Sequence, residues 1–137
     1  MTTIEQANAG DEADILINTE VDIQDRMWGD ANERADSTNN QLLLAGIAQL
    51  TLTRLKLYGN SPACSTDLAR LQYPDDWDGF RDYGSTVANL VVAAAFIRSE
   101  IKRRILLGED TTRSKRDKPY KTATPYVSSE QAAAELL

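Results

Sequence analysis

The sequence predicts an all-α protein with a single domain. Residues 41–58 and 85–107 carry apolar side chains at helical spacing, and the apolar positions of residues 15–28 fit a helix better than a strand. A chain of 137 residues with 42% hydrophobic residues is also long enough to bury one core without disulfides or metals. We therefore expect a bundle of helices.

Residues 1–14 are polar and acidic and have few large apolar side chains, which predicts a flexible acidic arm outside the core. The helical core is expected to span residues 15–107. Its first helix begins at Ile15 and ends at Gly29. The polar residues 29–40 are then expected to form a loop, with Ser37 or Thr38 capping the next helix.

The segment 41–58 is the second predicted helix, because Leu43, Ile47 and Leu50 share one face and Gly59 follows in the manner of a C-cap. The connection that follows, residues 60–82, contains two prolines and a glycine. It is expected to fold over one mouth of the core, with one short helical turn at residues 67–71.

The segment 85–107 predicts the last long helix, which Gly108 ends. Its first half is apolar nearly all round, so more than one neighbour should bury it, and a dimeric helix bundle would supply the second neighbour. Its apolar positions are Val87, Leu90, Val91, Ala94, Ile97, Ile101 and Ile105.

Residues 108–137 are expected to be a basic, mostly irregular tail with a short terminal helix, since Ser128 or Ser129 precedes a Glu and a Gln as in a capping box. The net charge of -6 should repel duplex nucleic acid. Between positions 102 and 121, however, basic residues outnumber acidic ones. This local excess favours an anion site in or near the tail.

Composition excludes several classes of chemistry. The single cysteine, Cys64, cannot form an internal disulfide, and the absence of histidine excludes Cys/His zinc sites, histidine general bases and Ser-His triads. No apolar run approaches the roughly 20 residues that cross a bilayer, and the first residues do not resemble a secretion signal. We expect a cytoplasmic protein that has no membrane partner.

Three stretches, taken in order, resemble one family. The stretch "EVDIQDRMWG" is similar to a Glu-x-x-x-Gln-x-x-x-Trp-Gly signature, carried here by Glu20, Gln24, Trp28 and Gly29. "QLLLAGIAQL" follows, and then "YPDDW" with "NLVVAAAFIRSEIKRR". Together they resemble small phage and prophage proteins related to the MazG-like, all-α nucleoside triphosphate pyrophosphohydrolases. The resemblance covers roughly residues 18–107.

The resemblance implies a MazG-like helical bundle that is completed by dimerisation. It also implies a departure, since the active enzymes hold Mg²⁺ with a Glu-Glu-x-x-Glu run where residues 45–49 here read Ala-Gly-Ile-Ala-Gln. On the second metal-binding helix the nearest matching polar residue is Asn89. We therefore expect neither a metal site nor a cofactor, and we assign no catalytic residue.

The candidate ligand-binding residues begin with Glu20, Gln24 and Trp28, which a helix places along one stripe. Trp28 either stacks on a base, with the other two reading its polar edge, or is a core residue beside two solvated groups. Arg103 either binds phosphate or is a solvated helix end, and Trp77 either lines a pocket or belongs to a small hydrophobic core under the loop. The remaining candidates are Gln49, Asn89, Arg113, Lys115, Arg116 and Lys118.

The leading functional expectation is a phage-type protein that binds a nucleotide, or a nucleotide-derived defence signal, and sequesters it without efficient hydrolysis as a homodimer or higher homo-oligomer. One alternative is a divergent pyrophosphohydrolase that uses Mg²⁺ or Mn²⁺ with Glu20, Asp22, Asp25 and Asp82. The other is an adaptor that blocks a host protein through its acidic arm or its basic tail. Whether the chain is an enzyme stays open at this point.

Overall fold

The computed structural model describes residues 1–29 and 40–113, and within these ranges every regular element is a helix. The all-α prediction is thereby confirmed over the described residues. The described residues form four helices, which we number in chain order: α1 is Thr3–Trp28, α2 is Gln41–Leu57, α3 is Pro62–Arg70 and α4 is Thr86–Leu106. None of these helices is both long enough and apolar enough to cross a membrane.

The core lies where α4 packs against both α1 and α2, while α3 packs on α2. Small side chains let these helices approach closely, since Ala45, Ala48 and Ala93 have no exposed surface. A Cβ built on Gly46 would lie 3.0 Å from Ile97 Cγ1, which shows how tightly α2 and α4 meet there. The core cluster consists of Leu42, Ala45, Ala48, Leu52, Ala69, Tyr73, Phe80, Val92 and Phe96.

The prediction that the first helix begins at Ile15 is wrong, because α1 begins at Thr3, within the segment predicted as an acidic arm. A capping box explains the early start: the Thr2 hydroxyl accepts a hydrogen bond from the Glu5 amide at 3.0 Å, and the Thr2 amide donates one to Glu5 Oε1 at 2.8 Å. The segment is nevertheless surrounded by solvent, as its polar composition leads one to expect. Every side chain from residue 1 to residue 16 is exposed.

The short turn expected at residues 67–71 is instead the nine-residue helix α3. Its start follows from Ser61, whose hydroxyl accepts a hydrogen bond from the Cys64 amide at 3.1 Å, and from Pro62 in the first turn. The ends of the other helices agree closely with the sequence. Gly29 follows α1, Ser85 caps α4 through the Ala88 amide, and Gly108 follows α4 with a φ of 86°.

The loop 71–85 is hydrogen-bonded to both α2 and α4. Two of its aromatic side chains, Tyr73 and Phe80, are buried members of the main core rather than a separate cluster. The predicted loop and cap at residues 30–39 lie outside the described residues. So do the tail beyond Arg113, with Lys115, Arg116 and Lys118, and the predicted terminal helix.

Candidate functional site

An aromatic pocket forms where the end of α1 meets the loop 71–85. Its volume is about 230 Å³, and two of the rings that line it pack on the buried Phe96 of α4. The Trp28 ring stacks on Phe96 with centroids 6.3 Å apart, and the Trp77 ring leans on the same phenyl ring at 6.4 Å. Both indoles are half-buried, so each keeps one part exposed to the cavity. The lining residues are Trp28, Tyr73, Asp76, Trp77 and Asp78.

The path of the loop brings these side chains together. A turn closed by the Trp77 amide and the Pro74 carbonyl, 3.1 Å apart, directs the chain back over the core. Gly79 then adopts a φ of 91°, a conformation that L side chains rarely take, beside Trp28. The edge of the Tyr73 ring faces Trp77 with centroids 6.1 Å apart, which continues the aromatic wall.

The polar part of the pocket is acidic. Gln41, at the start of α2, donates its amide hydrogens to both oxygens of Asp76, at 3.1 and 2.9 Å, and so fixes that carboxylate. Asp78 is exposed, and no residue of the described part of the chain hydrogen-bonds its carboxylate. An aspartate carboxylate only accepts hydrogen bonds. This wall therefore favours a ligand edge that donates them.

The predicted stripe of Glu20, Gln24 and Trp28 exists on α1, but only Trp28 reaches the pocket. Gln24 has no exposed surface, donates to Glu20 Oε2 at 3.3 Å, and leaves its own Oε1 without a hydrogen-bond partner among the described residues. Burial raises the pKa of the Glu20 carboxyl, against the opposing effects of the Gln24 hydrogen bond and the positive charge of Arg81. Trp28 therefore lines the pocket, whereas Glu20 and Gln24 form a hydrogen-bonded pair outside it.

Gln49 and Asn89, which the sequence suggested as ligand-binding residues, hold the loop. The Gln49 amide donates to Asn89 Oδ1 at 3.1 Å and to the Arg81 carbonyl at 3.0 Å. Asn89 Oδ1 also accepts from the Tyr83 amide at 2.9 Å. Both side chains are buried, and neither lines the aromatic pocket. Their hydrogen bonds are made within the protein, and contact with a ligand stays a prediction for both.

Asp82 completes this network at its exposed side. It accepts hydrogen bonds from Lys56 Nζ at 2.7 Å, from Asn89 Nδ2 at 3.0 Å and from the Gly84 amide at 2.9 Å. The hydrogen bonds from Lys56 and Asn89 lower the pKa of the Asp82 carboxyl to about 2. A carboxylate engaged in this way stabilises the loop.

The positions at which the resemblance would put the carboxylates of the first metal-binding motif, residues 45, 46 and 49, carry no carboxylate and are closed. Ala45, Gly46 and Gln49 are all buried. Across residues 1–29 and 40–113, no group of three or more His, Cys, Asp or Glu side chains is arranged to hold a metal ion. The described part of the chain therefore has no carboxylate cluster like the one that coordinates Mg²⁺ in the active enzymes.

Arg103, a candidate phosphate ligand, is committed to an internal ion pair. Its Nε and Nη2 lie 3.0 and 2.9 Å from the two carboxylate oxygens of Glu100, and each residue is only 4% exposed. Burial opposes ionisation of Glu100, but hydrogen bonds and charge from Arg103 and Arg104 outweigh it, so the Glu100 pKa lies below its usual value. Arg103 is thus not a solvated helix end, and phosphate binding by it stays a prediction. Arg113 is exposed.

A second, more open depression of about 420 Å³ lies between α1 and α4. It mixes apolar side chains with charges of both signs, and none of the predicted ligand-binding residues lines it. Its lining residues are Val21, Asp25, Arg98, Ser99, Ile101, Lys102, Ile105 and Leu106.

Of the predicted ligand-binding residues, the structure brings Trp28 and Trp77 together in one cavity. It also adds Tyr73, Asp76 and Asp78, which are not among those predicted residues. The sequence signal for them is the run "YPDDWDG", in which aromatic and acidic residues surround Trp77. Comparisons of the chain with known protein families, with curated proteins and with solved structures find no match.

Proposed function

We propose that this protein binds a nucleotide, or a molecule derived from one, by stacking its base against Trp28 and Trp77. The observation that carries the proposal is that two indoles, 49 positions apart in the sequence, share one cavity over Phe96. Stacking of a base on an aromatic side chain contributes about 1–3 kcal/mol. The resemblance to nucleotide-processing proteins points to the same class of ligand.

The size and charge of the pocket support a base rather than a whole nucleotide inside it. Its volume of about 230 Å³ lies below the ~300–1,000 Å³ typical of sites that enclose drug-sized ligands. Asp76 and Asp78 repel phosphate. The sugar and phosphates therefore extend out of the pocket, where the exposed Arg113 is the candidate to attract them.

Binding without efficient hydrolysis fits the loss of carboxylates at the positions of the first metal-binding motif. A phosphate-bridging Mg²⁺ needs several hard oxygen ligands, and the matching positions hold Ala45, Gly46 and Gln49. Such a protein sequesters its ligand. As a phage protein in the host cytoplasm, it would take a nucleotide-derived defence signal of the host as its ligand.

Tryptophan fluorescence tests the proposal directly, because the chain has two tryptophans and both line the pocket. Titration with nucleoside mono-, di-, tri- and cyclic phosphates should quench the emission for at least one class, with a matching heat in calorimetry. Trp77→Ala should abolish binding, whereas the matched variant Tyr58→Ala, in an exposed aromatic residue of another surface, should not. No quenching and no heat with any of these ligands would overturn the proposal.

We also propose that the bundle is completed by a second copy of the chain. Apolar residues form a stripe along the side of α2 that faces solvent, and another along that side of α4. The two stripes adjoin where Ile97 of α4 packs on Gly46 of α2. Leu90 is 43% exposed and Ile101 is 54% exposed, which is a large apolar surface to leave in water. This outer apolar face consists of Leu43, Leu44, Ile47, Leu50, Val87, Leu90, Ala94, Ile97, Ile101 and Ile105.

Light scattering coupled to size-exclusion chromatography tests this second proposal. The wild-type chain should elute with at least twice the monomer mass, and Leu90→Lys should shift it to the monomer. Leu71→Lys, in an exposed leucine outside α2 and α4, should leave the mass unchanged. A monomeric wild type at micromolar concentration would contradict the proposal and would favour a host protein as the occupant of the face, as in the adaptor alternative.

The catalytic alternative makes a different prediction for the same samples. It requires Glu20, Asp22, Asp25 and Asp82 to gather around a divalent ion, but Asp82 is bound by Lys56. Pyrophosphate release with Mg²⁺ or Mn²⁺ that Glu20→Gln abolishes would establish catalysis and refute sequestration.

A further inference from the structure

The polar wall of the aromatic pocket has a specific hydrogen-bonding character. Two of its side chains, Asp76 and Asp78, are carboxylates, which accept hydrogen bonds and donate none, whereas the Tyr73 hydroxyl in the same lining donates to the Asp78 carbonyl oxygen at 3.5 Å. Asp76 is fixed by two hydrogen bonds from Gln41, whereas the carboxylate of Asp78 has no partner within the described residues. Asp78 is thus the group available to read the edge of a ligand.

The five common bases differ in how they meet such a wall. Guanine presents two adjacent donors, N1–H and the 2-amino group, which a carboxylate can accept as a parallel pair. Adenine and cytosine present one amino donor beside a ring-nitrogen acceptor. Uracil and thymine present one N–H between two carbonyl oxygens. In these four bases a lone pair next to the donor would face the carboxylate, and that contact is repulsive.

We propose that the pocket selects guanine, with its N1–H and 2-amino group donating to the Asp78 carboxylate and its ring stacked on Trp28 and Trp77. This inference rests on the proposed function, since it names the base that the same site takes. Trp28 and Trp77 supply affinity for any base, because every base has a face on which to stack. Asp78 supplies the discrimination between bases.

Titration of the tryptophan emission with the 5′-monophosphates of guanosine, inosine, adenosine, cytidine and uridine tests the inference on the wild-type chain. Guanosine monophosphate should bind at least ~10-fold more tightly than the adenosine, cytidine and uridine compounds, because a site built to receive two donors rejects ligands that lack them. Inosine monophosphate keeps N1–H but lacks the 2-amino group, so it should lie between guanosine and the others. Equal affinities, or the tightest binding by adenosine, cytidine or uridine monophosphate, would overturn the inference.

Asp78→Asn supplies the second arm, with Asp75→Asn as the matched control because Asp75 is exposed and does not line the pocket. Asp78→Asn should weaken guanosine monophosphate about 10-fold and change adenosine monophosphate by less than about threefold. Asp75→Asn should change neither. Equal effects of the two variants on guanosine monophosphate would refute the role of Asp78.

Different results would refute base stacking on the two tryptophans and selection of guanine by Asp78. If no monophosphate quenches the emission and none gives a calorimetric signal, base stacking on Trp28 and Trp77 is wrong, and the guanine inference falls with it. If several bases bind without a preference for guanine, stacking stands and only the reading by Asp78 is wrong.

Discussion

The buried ion pair between Glu100 and Arg103 gives the sharpest prediction for stability. Glu100→Gln removes the charge that compensates the Arg103 guanidinium, of which Nη1 already has no hydrogen-bond partner among the described residues. Breaking a buried pair by neutralising one partner costs about 3–5 kcal/mol, because the other charge stays buried and unpaired. We expect the free energy of unfolding to fall by that amount.

Urea unfolding followed by circular dichroism at 222 nm measures the effect. With a denaturant slope of about 2 kcal/mol/M, a loss of 3–5 kcal/mol moves the midpoint down by about 1.5–2.5 M. Replacing both partners, Glu100→Met with Arg103→Met, should recover most of the loss, since neither charge then remains buried. Asp67→Asn is the control, because it breaks an exposed pair with Arg70 and should cost less than about 0.5 kcal/mol.

A loss below about 1 kcal/mol for Glu100→Gln, or a double variant as unstable as the single one, would refute this reasoning. The same experiment bears on function. If Arg103 serves the fold rather than a phosphate, then in the double variant Glu100→Met with Arg103→Met the nucleotide affinity should stay within about threefold of wild type.

Three other features each give a further prediction: the hydrogen bonds of Asp82 in the loop, the packing of the two indoles on Phe96, and the exposed first half of α1. Asp82 has a folded pKa of about 2 against an ordinary 3.8, so its carboxylate contributes about 1–2 kcal/mol that is present above pH 4 and is lost as the pH falls towards 2. The unfolding free energies of wild type and Asp82→Asn should therefore differ by that amount at pH 6 and converge near pH 2; a constant difference would contradict the assignment. Phe96→Ala should lower the free energy of unfolding in urea by about 3–5 kcal/mol and shift the tryptophan emission to the red. An unchanged emission would show that the indoles do not pack on Phe96. Hydrogen exchange should be much faster at residues 7–14 than at residues 21–27, because the first segment buries nothing; equal protection would show that α1 is covered along its length.

Much of the helical fold could be predicted because the signals are local. Ser85 and Gly108 bound α4 within a residue or two, and the apolar spacing along α2 and α4 identifies both as helices. The start of α1 could not be predicted from apolar periodicity, because its first turns bury nothing. These turns are helical through the capping box of Thr2 and Glu5, a short pattern that apolar periodicity does not detect.

The aromatic residues of the site could be predicted in part, since both Trp28 on α1 and Trp77 in the loop are candidates from the sequence. The contributions of Asp76 and Asp78 could not, because they depend on a loop whose path is set by bonds such as that from Gln41, 35 residues away. Gln49, another candidate from the sequence, takes part in similar long-range contacts, because its amide ties the loop to α4. Contact of Gln49 with a ligand stays a prediction.

The most direct test of the central claim uses two single-tryptophan variants, Trp28→Phe and Trp77→Phe. Each leaves one indole in the pocket, so each should be quenched by guanosine 5′-monophosphate, with a Kd that equals the value measured by calorimetry for the same variant. Calorimetric binding that quenches only one of the two indoles, or neither, would contradict a base stacked against both tryptophans.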